Sequence, residues 1–129
     1  MFIVMLCLFI ATCLPFLSKI VVGVVMSKEG KYDNQHPREQ QKRLTGFGAR
    51  ALAAHQNSFE ALLIFSVAIL SAVATQQVTW LTNVLAISFI TTRIFYHIAY
   101  VMNYATLRSL VWFVGFFSSM TILGCCIPF

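Results

Sequence analysis

Long runs without a charged residue constrain this chain more than any other feature of its sequence. Residues 1–18, 61–92, 94–107 and 109–129 contain no Asp, Glu, Lys or Arg. The chain is 59% hydrophobic and 10% charged, whereas an ordinary soluble domain is about a quarter charged. A soluble core of 129 residues could not absorb so much apolar surface. The runs therefore predict a membrane protein and exclude a soluble or disordered chain.

The uncharged runs divide into four segments that are long enough to cross a bilayer as helices. A transmembrane helix needs about 20 mainly apolar residues, so the run from 61 to 92 must contain a turn. Polar residues at 75–79 and 103–106 supply the turn signals. The runs also lack the alternation of barrel strands. We therefore predict an all-α integral membrane protein, a four-transmembrane-helix bundle that occupies residues 1–129 as one domain. The predicted spans are about 2–27, 48–75, 79–102 and 106–127, and the predicted cytoplasmic loop is 28–47.

The distribution of basic residues predicts the orientation of these spans. The second loop contains no Lys or Arg, and Arg108 follows the third loop at once. Because Lys and Arg favour the cytoplasmic side, loops one and three are expected in the cytoplasm. The net charge of +5 therefore belongs to a membrane-flanking loop, and no nucleic-acid partner is expected. The basic residues of the first loop are Lys28, Lys31, Arg38, Lys42 and Arg43.

Ionisable and polar residues within the spans are the candidate functional residues. A charged group near the bilayer centre costs several kcal/mol unless it is paired or lines a cavity. The second span contains Arg50, His55, Asn57 and Glu60. The third span contains Arg93, Tyr96, His97 and Tyr100, and the fourth begins with Arg108 and Ser109. The spacing of the four third-span residues, i, i+3, i+4 and i+7, predicts one stripe on a helix.

Depth in the membrane brings these side chains into one predicted pocket. Glu60 and Arg93 lie at similar depths on adjacent antiparallel helices, so we predict that they pair. Arginine grips carboxylates and glutamate pairs with an ammonium, so the pocket suits an anionic ligand that also carries a cation. Glutathione fits this description, as do other amino-acid-like ligands. The remaining polar groups lie nearer the cytoplasm: Arg50, Asn57, Tyr96, Tyr100 and Arg108.

Each of these residues also has a structural interpretation. Arg50 and Arg108 could anchor the helices at the membrane surface by snorkelling. Glu60 and Arg93 could form a pair that sets helix register, and the two tyrosines could belong to an interfacial aromatic belt. His55 is expected to contact another helix rather than a ligand. The four cysteines have no metal-site or CxxC spacing, so no metal is expected and they are interpreted as packing residues.

Several segments resemble the MAPEG family, membrane-associated proteins in eicosanoid and glutathione metabolism. Segment 50–60, RALAAHQNSFE, is similar to the second-helix signature of the family and keeps an R-x6-N-x2-E spacing. Segment 93–100, RIFYHIAY, resembles the third helix of the family. Arg108 and Ser109 fall where the family has its catalytic Arg-Ser pair. The loop 32–38 resembles a bacterial branch, which implies a bacterial inner membrane, or the endoplasmic reticulum if the source is eukaryotic.

The resemblance implies a homotrimer of four-helix subunits that binds glutathione as co-substrate between neighbouring subunits. It implies a transferase or peroxidase of detoxification, in which Arg108 stabilises the thiolate and Ser109 donates a hydrogen bond to the same sulfur. The second substrate would be a small hydrophobic electrophile or peroxide that enters from the membrane lipid. The implied glutathione-binding residues are Arg50, Asn57, Glu60, Arg93, Tyr96 and Tyr100.

Three positions depart from the pattern of the family. Ala53 stands where several members have a second arginine. Gln56 and Trp112 stand where prostaglandin E synthase has an arginine and a tyrosine. The chain therefore has fewer cationic ligands than the eicosanoid enzymes, which argues against eicosanoid synthesis. Two alternatives stay open: a non-catalytic protein of this fold that binds a thiol, lipid or partner, and a small transporter that uses Glu60 and Arg93. The apolar outer half of the spans argues against transport.

Overall fold

The computed structural model describes residues 1–128, and all regular secondary structure within them is helical. Phe129, the last residue of the predicted domain, lies outside the described residues. Four of the helices are long and apolar enough to cross a membrane. The predicted all-α, four-span fold is therefore confirmed, and the chain is a multi-pass integral membrane protein surrounded by lipid. The helices are α1 (Phe2–Lys28), α2 (Pro37–Lys42), α3 (Gly46–Ala74), α4 (Trp80–Val101) and α5 (Ala105–Gly124).

The short helix α2 is absent from the sequence prediction, which treated residues 28–47 as loop. Pro37 begins α2, where its fixed φ and missing N–H suit a first helical turn. Gln40 then ties the segment to α1, because its Nε2 donates to the carbonyl of Met26 at 3.1 Å. Its Oε1 accepts from the N–H of Asp33 at 2.9 Å. The backbone N–H of His36 donates to the Asp33 carboxylate and holds its pKa below the ordinary value.

The four long helices pack so that α3 and α4 cross the middle of the bundle. Helix α1 packs against both of them on one side, and α5 packs against both on the other. Buried alanines such as Ala54, Ala68 and Ala86 let the backbones approach closely, as is common in membrane bundles. In the core the rings of Phe65 and Phe89 stack with centroids 3.9 Å apart. The outer surface of the bundle exposes many large apolar side chains, which suits contact with lipid.

A histidine links α1 to α3 beside a proline. Pro15 lies inside α1 and, having no N–H, cannot donate a helical hydrogen bond. The ring of His55 lies against this segment, with Nδ1 2.9 Å from the carbonyl of Pro15 and 3.1 Å from Oγ of Ser18. Because a carbonyl only accepts, Nδ1 carries the proton and donates. His55 is therefore a helix contact, as the sequence predicts.

Two turns of the same geometry connect α3 to α4 and α4 to α5. Gln76 and Asn103 have positive φ values of 59° and 63°. The N–H of the residue after each one bonds back to the third-last residue of the preceding helix. Gln77 donates to the carbonyl of Ala72 at 2.8 Å, and Tyr104 donates in the same way at the end of α4. Both turns are Schellman motifs, in which glycine is the usual residue. They hold α3, α4 and α5 as antiparallel neighbours.

Candidate functional site

Three side chains of α3 and α4 form one hydrogen-bonded chain that runs from the interior of the bundle to its surface. Nη1 of Arg93 donates to Oδ1 of Asn57 at 3.0 Å. Nδ2 of Asn57 donates to Oε2 of Glu60 at 2.9 Å. The predicted direct pair between Glu60 and Arg93 is therefore wrong: the Asn57 amide lies between them. Within residues 1–128, no Lys or Arg lies within ion-pair distance of an Asp or Glu carboxylate; the one such close contact is between His36 and Asp33. Asn57 precedes Glu60 by almost one helical turn, about 4.5 Å, so its amide meets the guanidinium first.

The guanidinium of Arg93 is enclosed by aromatic rings. The Arg93 side chain is only 3% exposed. Its guanidinium carbon lies 4.6 Å from the ring centre of Tyr96 and 5.7 Å from that of Phe89. Nε of Arg93 is buried and has no hydrogen-bond partner in the described part of the chain. The ring faces and the Asn57 amide therefore provide the compensation for burying this charge.

Helix α5 leaves room for the Arg93 guanidinium because residue 115 is glycine. A Cβ at this position would lie 2.9 Å from Oγ1 of Thr92 and 3.3 Å from Nη2 of Arg93. A larger residue would therefore displace one of the two side chains. Gly115 was not among the residues predicted from the sequence. It follows Arg108 and Trp112 at the spacing i, i+4 and i+7, and this shared helical face is the signal that could have identified it.

A cavity lies beside this hydrogen-bonded chain, between α3, α4 and α5. It measures about 110 Å³, which is large enough for a water molecule or a small polar group. Its wall contains both polar side chains and aromatic rings. Its lining includes Asn57, Glu60, Arg93, Ser119, Phe89, Trp112 and Phe116.

Arg108 lies in a second, more open recess of about 260 Å³ at the start of α5. Its guanidinium stacks on Tyr100, 4.5 Å from the ring centre. Across residues 1–128, no carboxylate lies within ion-pair distance of Arg108. Ser109 is exposed beside it and donates its hydroxyl to the carbonyl of Ala105 at 3.1 Å. The Ser109 hydroxyl must therefore turn away from its own helix to reach a ligand. The recess is lined by Tyr96, Arg108, Ser109, Trp112 and Phe113.

Tyr96 and Trp112 connect the two cavities. Tyr96 stacks near Arg93 on one side and lines the Arg108 recess on the other. Its ring centre lies 5.5 Å from that of Tyr100. Trp112 lines both cavities. The structure thus gathers most of the predicted site residues along one side of α3, α4 and α5.

Two residues of the predicted stripes do not join this group. Nε of Arg50 is buried without a hydrogen-bond partner among the described residues, and Arg50 lies about 10 Å along α3 from Asn57. Nε2 of His97 lies 2.8 Å from Oγ of Ser58, which also donates to the carbonyl of Ala54. His97 therefore faces Ser58 of α3 and an apolar groove beside α1, and it lines neither the Arg108 recess nor the cavity beside Glu60.

Comparison with known proteins places the chain in a family. The model of the MAPEG family matches residues 3–128. No curated protein and no solved structure shows a significant match. The matched region includes every predicted site residue and the four membrane-spanning helices, apart from Phe2 at the start of α1. Because the match covers nearly the whole chain, this four-helix membrane protein belongs to the MAPEG family.

Proposed function

We propose that the protein is a glutathione-dependent membrane transferase or peroxidase that activates the glutathione thiol as a thiolate. The observation that carries the proposal is Arg108. Its half-buried guanidinium stacks on Tyr100, has no carboxylate partner in residues 1–128, and borders an open recess. Members of the MAPEG family typically use glutathione, and a cation beside an open recess supports a role for Arg108 at the sulfur.

The guanidinium of Arg108 supplies the chemistry that a thiol nucleophile needs. A free thiol has a pKa of about 8.5, so it is mostly protonated at neutral pH. A positive charge near the sulfur favours the thiolate, which is the reactive form. Ser109 adjoins Arg108 and donates a second hydrogen bond to the sulfur once its hydroxyl leaves the Ala105 carbonyl.

The activated thiolate supports either of two reactions with an apolar substrate from the lipid. In the transferase reaction, sulfur bonds to an electrophilic carbon and the leaving group departs with its bonding electrons. In the peroxidase reaction, the thiolate sulfur attacks the terminal oxygen of a hydroperoxide. A sulfur–oxygen bond forms and the O–O bond breaks, which leaves a glutathione sulfenic acid and an alkoxide, since the attacked oxygen retains its proton. The alkoxide takes up a proton to form an alcohol. A second glutathione then reduces the sulfenic acid, giving the disulfide and water.

The remaining polar residues supply groups for the two ends of glutathione. Glu60 is exposed on α3 and offers a carboxylate to the ammonium. Asn57 and the tyrosine hydroxyls add directional hydrogen bonds, and Arg50 offers a cation to a carboxylate. Arg93 belongs to the same set through its hydrogen bond to Asn57.

A homotrimer with glutathione bound between subunits accounts for the exposure of Glu60. This residue lies at the middle of α3, on a face that also exposes Phe59 and Leu63. A carboxylate that faces lipid at this depth is costly unless it is paired or lines a cavity. A neighbouring subunit that covers this face would provide both, and the open recess at Arg108 would face the next subunit.

We also propose a single domain in a bacterial inner membrane, with the first and third loops in the cytoplasm. The basic residues of the first loop lie at the same end of the bundle as Arg108. The turn after α3, at the opposite end, contains no Lys or Arg. This asymmetry supports the orientation. In a eukaryotic cell the same orientation would apply to the endoplasmic reticulum.

The test is a titration of the purified protein with glutathione, followed by the ultraviolet absorbance of the thiolate. We expect wild type to generate thiolate at neutral pH and Arg108→Ala to lose this signal while it stays folded. Arg38→Ala, which removes an exposed arginine of the short helix α2, is the matched control and should keep the signal. If wild type gives no thiolate, or Arg108→Ala gives as much as wild type, the proposal is wrong.

The same titration separates the enzyme from a non-catalytic binding protein. A protein that only binds thiols would take up glutathione without forming thiolate or consuming an electrophile. Its affinity would also be independent of a substrate added from the lipid. A transporter would instead show glutathione flux in vesicles that depends on Glu60.

A further inference from the structure

We propose that Gly115 and Arg93 are positioning residues that orient the Glu60 carboxylate toward the ammonium group of the ligand. The inference rests on the proposed glutathione function and adds a determinant of ligand selectivity on α5. Four residues carry it, one from α5, one from α4 and two from α3. They are joined by a steric contact and by two hydrogen bonds.

The first step sets the position of the guanidinium. Gly115 faces Thr92 and Arg93, and a Cβ there would lie 3.3 Å from Nη2 of Arg93 and 2.9 Å from Oγ1 of Thr92. The Thr92 hydroxyl donates to the carbonyl of Phe89 in its own helix, so it has little freedom to move. The absence of a side chain at 115 therefore permits the guanidinium to lie against α5 and reach across to α3.

The second step sets the orientation of the Asn57 amide. A guanidinium only donates hydrogen bonds, so the Asn57 atom that faces Arg93 must be the oxygen. The amide nitrogen then faces Glu60, where it donates to Oε2 at 2.9 Å. The reverse orientation would place two donors together at Arg93 and two acceptors together at Glu60. Arg93 thus selects one of the two amide orientations.

The third step leaves one oxygen of the carboxylate for a ligand. Oε2 of Glu60 accepts from Asn57, and Oε1 accepts no hydrogen bond from residues 1–128. Because Asn57 holds the carboxylate, its remaining oxygen points in a defined direction rather than rotating freely. An ammonium would bind such an oxygen by a charge-assisted hydrogen bond. Helix α5 therefore acts at the carboxylate of its own chain through Gly115, while the sulfur is served by Arg108 at the start of α5 in whichever subunit completes the site.

The experiment compares glutathione with its deamino analogue, which has hydrogen in place of the ammonium. Wild type should bind glutathione about tenfold more tightly, the value of one charge-assisted hydrogen bond. Gly115→Ala should lose most of this preference by displacing Arg93. A general loss of packing would weaken both ligands equally and leave the ratio unaltered.

Gly124→Ala is the matched control, since a Cβ at that position on the same helix meets nothing within 4 Å. It should keep the wild-type preference. If Gly115→Ala does not fold, Arg93→Lys replaces it: lysine keeps the charge but lacks the planar fork, so it too should lose the preference. An unchanged ratio in the folded variant would overturn the positioning role and leave the proposed function standing. Failure of wild type to bind glutathione would overturn both.

Discussion

Asn57 is the residue on which the polar interior of the bundle depends. Its amide oxygen faces a buried cation and its amide nitrogen faces an anion. Arg93 is nearly inaccessible, whereas Glu60 is exposed at the surface of the subunit. Loss of the amide would therefore leave a buried charge without its hydrogen-bond acceptor, and such losses are among the most destabilising in proteins.

We expect Asn57→Leu to lower the free energy of unfolding by about 2 kcal/mol or more, because Arg93 loses its acceptor and stays buried. Glu60→Gln should cost less, about 1 kcal/mol, because glutamine retains an oxygen that accepts from Asn57. Denaturant unfolding in detergent micelles measures both. A larger loss for Glu60→Gln would show that the negative charge of Glu60 contributes more than the Asn57–Arg93 hydrogen bond, and it would contradict this ranking.

At the scale of the helices, the turns at the two ends of α4 determine how the site residues meet. Gln76 and Asn103 both adopt left-handed backbone conformations. This conformation costs a residue other than glycine about 1 kcal/mol, although asparagine tolerates it better than glutamine does. The backbone at Gln76 is therefore slightly strained. This conformation is required by the tight turn that brings α4 back against α3.

Gln76→Gly should raise the free energy of unfolding by about 1 kcal/mol, because glycine adopts a positive φ without steric cost. Asn103→Gly should give a smaller gain. Thermal unfolding of the detergent-solubilised protein measures both changes. Gln77→Gly is the control, since this residue has no positive φ, and it should give no gain. A loss of stability in Gln76→Gly would show that its side chain matters more than its backbone conformation.

At the scale of the whole molecule, polar groups are distributed unevenly over the membrane-facing surface. Most of the bundle surface is apolar, yet α3 exposes Glu60 near its middle. An ionised carboxylate does not face hydrocarbon without compensation. A single chain would leave this carboxylate facing lipid, and this supports the proposed site between subunits, in which a neighbour would cover it.

We expect the protein in mild detergent to have three times the 14.5 kDa subunit mass by native mass spectrometry. Glutathione binding should be lost when harsher detergent dissociates the subunits, because the residues at each site come from two neighbours. A monomer that binds glutathione with undiminished affinity would contradict a site between subunits. Recovery of binding after return to mild detergent is the control for irreversible unfolding.

The polar stripe of α4 contributes three of its four residues to the candidate site. Helical spacing placed Arg93, Tyr96 and Tyr100 on one stripe, and the structure brings these three together. The same spacing placed His97 with them, yet His97 contacts Ser58 and an apolar groove and does not line the Arg108 recess. A stripe is about 100° or more wide, so spacing alone does not say which neighbour a residue at its edge will contact.

The sequence by itself determined the number of membrane spans, the family and the set of polar residues within the helices. These follow from hydropathy, charge and motif spacing, which are properties of the chain read locally. Only the tertiary structure decided that Arg93 bonds to Asn57 rather than to Glu60, and that Gly115 makes room for it. Such contacts depend on the axial position of one helix relative to its neighbour and on the distance between the two helix axes. A difference of one helical turn, about 5.4 Å, exceeds the tolerance of a hydrogen bond.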